Sequence, residues 1–239
     1  MQHDALTVRK RDSYQIFNDI APTYDFLNRI LSFGIDRSWR KKLVKRTSST
    51  PISALDLATG TGDLAIALAK QRPLAKITGL DLSEGMIKIG QAKVQAQGLT
   101  KQITLSLGDG VNLGVTDHSV DLITIGFGIR NFSNPLESLK QCERALIPGG
   151  KILILEFSWP RNPAVRLMYN FYFRYLLPWL GNLVSGHKDA YTYLNKTVED
   201  FPYGESFLAM MQTAGLQNTS ATPLTFGIAT LYEGSAKHE

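Results

Sequence analysis

Cysteine is almost missing from this chain: Cys142 stands alone in 239 residues, so no internal disulfide can staple the fold. A single cysteine in a helical stretch ordinarily serves as a small apolar filler. Histidine is scarce too. His3, His118 and His238 fall in a tail, a polar loop and the terminal residues; they suggest no metal-ligand constellation, and no metal is expected. The opening MQHDALTVRKRDSY holds no apolar stretch of the kind that directs secretion, and a cytoplasmic protein is the default expectation. No low-complexity linker or internal repeat is found.

What is present suffices for one large domain, or one domain carrying a substantial insertion: 44% of residues are hydrophobic and 20% charged. The net charge of +5 is unevenly spread, with ten Lys and Arg against five Asp between Met1 and Thr50. The crowded RSWRKKLVKR, Arg37 to Arg46, reads either as a solvated helix face or as a surface for nucleic acid or an anionic membrane. One tryptophan among the cations, without interleaved stacking aromatics, counts against RNA.

From about Ile52 short aliphatic runs alternate with helical patterns, the signature of a parallel sheet flanked by helices. ISALDLA, KITGLDLS, ITLSLGD, VDLITIGFG and GGKILILEF read as strands one to five. DLAIALAKQ, EGMIKIGQAKVQAQG and PLESLKQCERAL read as helices, the last opened by Pro135. Towards the end, ESFLAMMQTAG is helical and NTSATPLTFGIATLYEG forms two strands with a bend near Pro223.

The stretch ALDLATGTGDLA, Ala54 to Ala65, joins the first strand to a helix through Gly60 and Gly62. Such a turn points backbone N–H groups and a helix N-terminus at whatever lies beyond the strand. Its spacing departs from the G-x-G-x-x-G of nicotinamide binding, which disfavours an oxidoreductase, and Asp63 follows at once. An acid there suits an ammonium group better than a pyrophosphate. Asp81 ends the second strand, 19 positions after Gly62, where a carboxylate can accept from both hydroxyls of a ribose. Asp109, followed by Gly110, ends the third strand, within reach of an adenine amine. Any one of these acids could be a turn or cap residue. Together they fit S-adenosylmethionine, which has a ribose, an adenine amine and an α-ammonium but no phosphate.

IFNDIAPTYDFLNRILSFGIDRSWRKKL, LDLATGTGDLA, DLSEGM, FGIRNF, IPGGKILILEFSWP and AYTYLNKTVEDFP together resemble the ubiquinone/menaquinone biosynthesis C-methyltransferases, over about residues 14 to 235. The resemblance implies a class I, Rossmann-like methyltransferase: a seven-stranded, mostly parallel sheet with a C-terminal antiparallel hairpin and a helical lid and insertion. It implies that Thr61, Asp81, Asp109 and Gly110 contact S-adenosylmethionine, with Gly60, Gly62 and Gly126 in the same set; Asp63 joins from the charge argument alone. Some members carry serine where this chain has Gly126, others asparagine and alanine at Asp109 and Gly110, and the familiar LPF is replaced by NLGVTDHS. The Tyr24–Asp25 pair is of the kind that closes over the donor in related enzymes.

The implied reaction methylates a ring carbon of a polyprenylated demethylquinol. Its hydroxyl, with a phenolic pKa of about 10, must lose a proton to push electrons onto the neighbouring carbon. Arg130 is permanently charged and can stabilise the oxyanion, though it cannot act as the base; a structural salt bridge is the alternative for it. Asn131 can orient the hydroxyl or a water. His187 is a second candidate base, against the plainer reading of a solvated loop histidine. RLMYNFYFRYLLPWLGNLVSG, broken by Arg174, Pro178 and Gly181, reads as a buried helix pair or as a wall for the isoprenoid tail that also touches the bilayer. The expected organisation is a lid segment 1–50, a donor-binding core 51–158, a substrate insertion 159–202 and a terminal segment 203–239. Benzoquinol or naphthoquinol, a homodimer, and contact with the inner face of the membrane stay open. No nucleic acid is expected. The rival readings are a class I methyltransferase with another small or lipid substrate and a basic RNA-binding module.

Overall fold

In the computed structural model, residues 13–32, 34–47, 52–172 and 197–238 are described. Five aliphatic runs become the parallel strands β1 (Ser53–Leu57), β2 (Lys76–Asp81), β3 (Ile103–Leu107), β4 (Val120–Gly126) and β5 (Leu146–Phe157). Their continuous apolarity follows from burial on both sides. Ala54 and Leu122 face a core with Trp39, Leu64 and Leu68, whereas Leu55 and Ile123 face a second core with Leu139 and Phe207.

Helices α1 (Ser13–Leu31) and α2 (Ile35–Val44) precede the sheet. Helices α3 (Asp63–Gln71), α4 (Glu84–Ala96) and α5 (Pro135–Ala145) form its crossovers, followed by α6 (Pro163–Phe171) and α7 (Glu205–Thr213). Ser83 caps α4, its hydroxyl accepting from Met86 N–H at 3.2 Å, and Asn134 caps α5. Strands β6 (Gln217–Leu224) and β7 (Ala229–Ser235) complete the sheet in the order β3-β2-β1-β4-β5-β7-β6, with β7 antiparallel to both neighbours. The chain order reverses between β1 and β4, and in open α/β sheets the ligand crevice lies outside the strand ends at such a point.

The expected runs of β1 to β4 extend one or two residues past the strand ends, β3 stopping at Leu107 short of Asp109, and two further boundaries differ. The bend of the terminal hairpin is the turn Thr225–Gly227, while Pro223 remains inside β6. β6 is the edge strand, where a residue without an N–H can be accommodated on the open side. β5 begins at Leu146 rather than at the glycine pair, because Leu146 pairs with Val120 before a register shift.

The basic run is helix α2. Trp39, Leu43 and Val44 are buried while Lys41, Lys42, Lys45 and Arg46 are exposed. Its Arg40 pairs with Asp36 and lies over the Phe127 ring, 5.7 Å from the centroid. Trp39 Nε1 donates to Thr225 Oγ1 at 2.8 Å, tying α2 to the hairpin turn.

Candidate active site

At the end of β1 the chain must turn sharply into α3. Gly60 and Gly62 take the left-handed region, at φ 55° and 80°, which costs glycine little. Ala58 and Phe127, the first residues after β1 and β4, adopt it too, at φ 50° and 60°. Such conformations in side-chain-bearing residues collect at functional sites. Gly128 lets the two turns touch: a Cβ there would lie 2.3 Å from that of Ala58. Beneath them Asp56 is buried, its carboxylate accepting from Thr59 and Thr124 hydroxyls, each at 2.6 Å. Burial pushes this carboxyl up to about 6, against the pull of those two hydroxyls.

Above the turns lies a cavity of about 550 Å³. The turn contributes Ala58 and Gly60 to its lining; the ends of β2 and β3 contribute Asp81, Asp109 and Gly110, and the end of β4 Gly126 and Asn131. Asp81 accepts from Gly60 N–H at 2.8 Å and from Ser83 N–H at 2.9 Å. Burial raises its carboxyl above the ordinary value, and those N–H groups oppose the shift. Asp109 accepts from Val111 N–H at 3.0 Å. Helix α1 covers the cavity with Tyr14, Phe17 and Tyr24, the last within 4.0 Å of where a Gly60 Cβ would stand. Burial raises the Tyr24 hydroxyl as well, opposed by Asn28, Arg130 and Arg40. Among the described residues the lining holds two carboxylates and no lysine or arginine.

Thr61, Gly62 and Asp63 fall outside that lining. Asp63 meets an ammonium group from within the chain: Lys93 Nζ donates to Asp63 at 2.5 Å, to Asp25 at 2.7 Å and to Thr61 Oγ1 at 3.0 Å. Burial alone would raise Asp63, but Arg40, Lys93 and Arg29 outweigh it and hold the carboxyl below its ordinary value. The charge argument from the glycine turn is therefore answered by Lys93, which stands 30 positions from Asp63 and carries no local signal of the pairing. Thr61 likewise donates to Asp25 of the Tyr24–Asp25 pair, at 2.6 Å.

Arg130 does not line the cavity, although its neighbour Asn131 does. It is buried at 4% exposure, with Nη1 donating to Glu156 Oε1 at 2.7 Å and to the Phe127 carbonyl at 2.5 Å. Its guanidinium lies 5.4 Å from the Phe157 ring centroid. The salt-bridge alternative is thus present, with a partner hidden in the apolar run ILILEF. His187 and most of the apolar insertion lie outside the described residues. Among those described, no three His, Cys, Asp or Glu side chains group to hold a metal ion.

The chain is 44% identical over 231 residues to the ubiquinone/menaquinone biosynthesis C-methyltransferase UbiE of Geotalea daltonii, covering 96% of this chain and 98% of the relative. It is 42% identical over 220 residues to the demethylmenaquinone methyltransferase of Thermus thermophilus, covering 92% and 99%. Among solved structures, an S-adenosylmethionine-dependent methyltransferase from Thermotoga maritima superposes with a TM-score of 0.67 at 18% identity, covering 94% of this chain and 99% of that one. Residues 6–236 match the model of the ubiE/COQ5 methyltransferase family, and the chain belongs to that family.

Proposed function

We propose that this chain is an S-adenosylmethionine-dependent C-methyltransferase that methylates the ring of a prenylated demethylquinol, a demethylmenaquinol or a 2-polyprenyl-6-methoxy-benzoquinol. The observation that carries the reading is the cavity at the strand reversal, which gathers Asp81, Asp109 and Asn131 and, among the described residues, has no cationic lining residue. A pyrophosphate would be repelled there. A phosphate-free adenosyl group bearing positive charge fits. When bound, S-adenosylmethionine supplies an electrophilic methyl group on a sulfonium, whose C–S bonding pair stays with sulfur on transfer.

The residues of the chain supply the rest. Asp81 keeps free acceptor capacity for ribose hydroxyls after taking two N–H groups. Asp109 and Gly110 flank the adenine end, and Gly60 and Gly126 let the backbone come close. Tyr24 and Phe17 exclude water from above. Asn131 orients the quinol hydroxyl, and Arg130 stabilises its developing negative charge from a buried position. Helix α6 bears Leu167, Met168 and Phe171 at 72%, 73% and 59% exposure, beside the exposed Arg161. That face supports peripheral contact with the membrane that holds the quinol. No helix among the described residues is long and apolar enough to cross it.

The test is to incubate the purified protein with labelled methyl donor and each demethylquinol, in parallel with Arg130→Ala. Label is expected on the quinol ring, with turnover reduced by at least two orders of magnitude in the variant. No label on either quinol, with the donor bound, would refute the substrate; full turnover by the variant would refute the role of Arg130.

A further inference from the structure

Glu156 is the penultimate residue of β5, one past Leu155, which pairs in register with Gly126 of the cavity lining; Glu156, like Arg130, lies behind the lining residues. It is 1% exposed. One oxygen is occupied: Oε1 accepts from Arg130 Nη1 at 2.7 Å and from Phe157 N–H at 2.8 Å. The other, Oε2, is buried with no hydrogen-bond partner, and so are Arg130 Nε and Asn131 Oδ1. Buried polar atoms are ordinarily paired, and leaving a charged group's atoms unpaired is costly. One unsatisfied acceptor on Glu156 and one unsatisfied donor on Arg130, two side chains joined by a salt bridge, match a hydroxyl, which donates once and accepts on its oxygen.

We propose that Glu156 is the general base of the reaction, its Oε2 taking the proton of the quinol hydroxyl while Arg130 Nε donates to the oxygen left behind. The inference rests on the quinol reading given above. In the step the O–H bond breaks, its electron pair stays on the ring oxygen, and a new O–H bond forms on Glu156. The adjacent ring carbon then takes the methyl group and loses its own proton to water. Glu156 returns its proton to the ring oxygen, so that one proton is released per turnover.

The electrostatics favour this route over removal of the proton by solvent. Before transfer Arg130 faces the Glu156 carboxylate, and after it faces the phenolate. The net charge of the buried site never changes, and the negative charge moves only from one neighbour of the guanidinium to another. A carboxylate is a weaker base than a phenolate, so the phenolate is a minor species that methyl transfer drains. Among the described residues Arg130 pairs with Glu156, and Tyr169 and Tyr232 lie within reach of its charge. Burial raises both tyrosine hydroxyls, which stay protonated between pH 6 and 9.

The test is the pH profile of methyl transfer for wild type and Glu156→Gln, with donor binding followed by calorimetry. Wild type is expected to be flat from pH 6 to 9. Glu156→Gln should bind the donor unchanged and turn over about 100-fold or more slowly at pH 7. Its rate should rise about tenfold per pH unit towards the phenol pKa of about 10, and it should recover on a quinol carrying an electron-withdrawing ring substituent. A variant at full rate, or one slowed equally at every pH without recovery, would overturn the proposal; the second result leaves Glu156 only a positioning role for Arg130. Should Glu156→Gln fail to fold, Glu156→Asp carries the test: the flat profile is expected at a rate about tenfold or more lower, and an undiminished rate would overturn the proposal. If wild type methylates neither quinol, the quinol reading falls, and the proposal with it.

Discussion

Replacing Asp56 with asparagine should stabilise the protein at neutral pH and leave it nearly unchanged in acid. Asp56 lies at 1% exposure on β1, and burial lifts its carboxyl from the ordinary 3.8 to about 6 despite hydrogen bonds from Thr124 and Thr59. The folded value is the higher one, so the native state holds this proton more tightly than the unfolded chain. The stability contributed by protonated Asp56 is complete below about pH 4 and is lost as pH rises through about 6. At about 1.4 kcal/mol per pH unit, the loss comes to about 3 kcal/mol by neutrality. Asparagine has the same shape and no charge. Its carbonyl can accept from one threonine hydroxyl and its amide can donate to the other. Denaturant unfolding of both proteins from pH 4 to 8 should give a stability difference near zero at pH 4, climbing between 4 and 6 and levelling at about 2–3 kcal/mol in favour of Asp56→Asn. A difference constant across that range would refute the reasoning, because it would mean that the Asp56 proton is held equally in both states.

Lys93→Met should loosen α1 by about 1–3 kcal/mol, since Asp25 and Asp63 both lose the ammonium they share; amide exchange should accelerate in α1 and hardly at all in β1 or β4. Gly110→Ala places a methyl group 2.8 Å from the Phe132 ring, and donor affinity should fall about 5- to 100-fold; Phe132→Leu in the same chain should restore part of it by calorimetry. Asp81→Asn turns one acceptor into a donor facing the N–H of Gly60 or Ser83. Donor affinity should fall by about tenfold or more while the melting temperature moves little.

The parts legible in the sequence are those written by local periodicity. The aliphatic runs of β1 to β5 and the helix over Asp63–Gln71 follow directly from pattern and turn chemistry, and so do Asp81 and Asp109 at consecutive strand ends. Contacts between distant segments were not legible. Lys93 sits in the helical stretch IKIGQAK, whose spacing says nothing of the two acids it meets. Glu156 is embedded in ILILEF, where one acid after four aliphatic residues reads as the end of a strand; only the pairing of β5 beside β4 brings it to Arg130. Pro223 suggested a bend because proline interrupts a strand ladder, and only the sheet order reveals it on an edge.

The acids around the glycine turn divide the work of one site by where each is held. Asp56 anchors the turn from below through Thr59, and Asp81 grips it from the side through Gly60 N–H. Asp63 faces away, towards α1. That helix is fastened through polar contacts among the described residues: Asn18 accepts from Ser83 Oγ at 2.6 Å and from Gly85 N–H at 2.9 Å, Asp25 takes Lys93 and Thr61, and Arg29 pairs with Asp63 at 3.8 Å. Among the described residues Ile20 and Ala21 are buried against Met86, with Ile16, Phe17, Tyr24 and Ile89 partly buried beside them. Hydrogen bonds and ion pairs such as these can be exchanged for water at little net cost, whereas the strands beneath would have to expose their aliphatic cores. Since Tyr14, Phe17 and Tyr24 of this helix line the cavity, S-adenosylmethionine is expected to slow amide exchange in α1 more than in β1 or β4, and no slowing in α1 would refute a closing role for it.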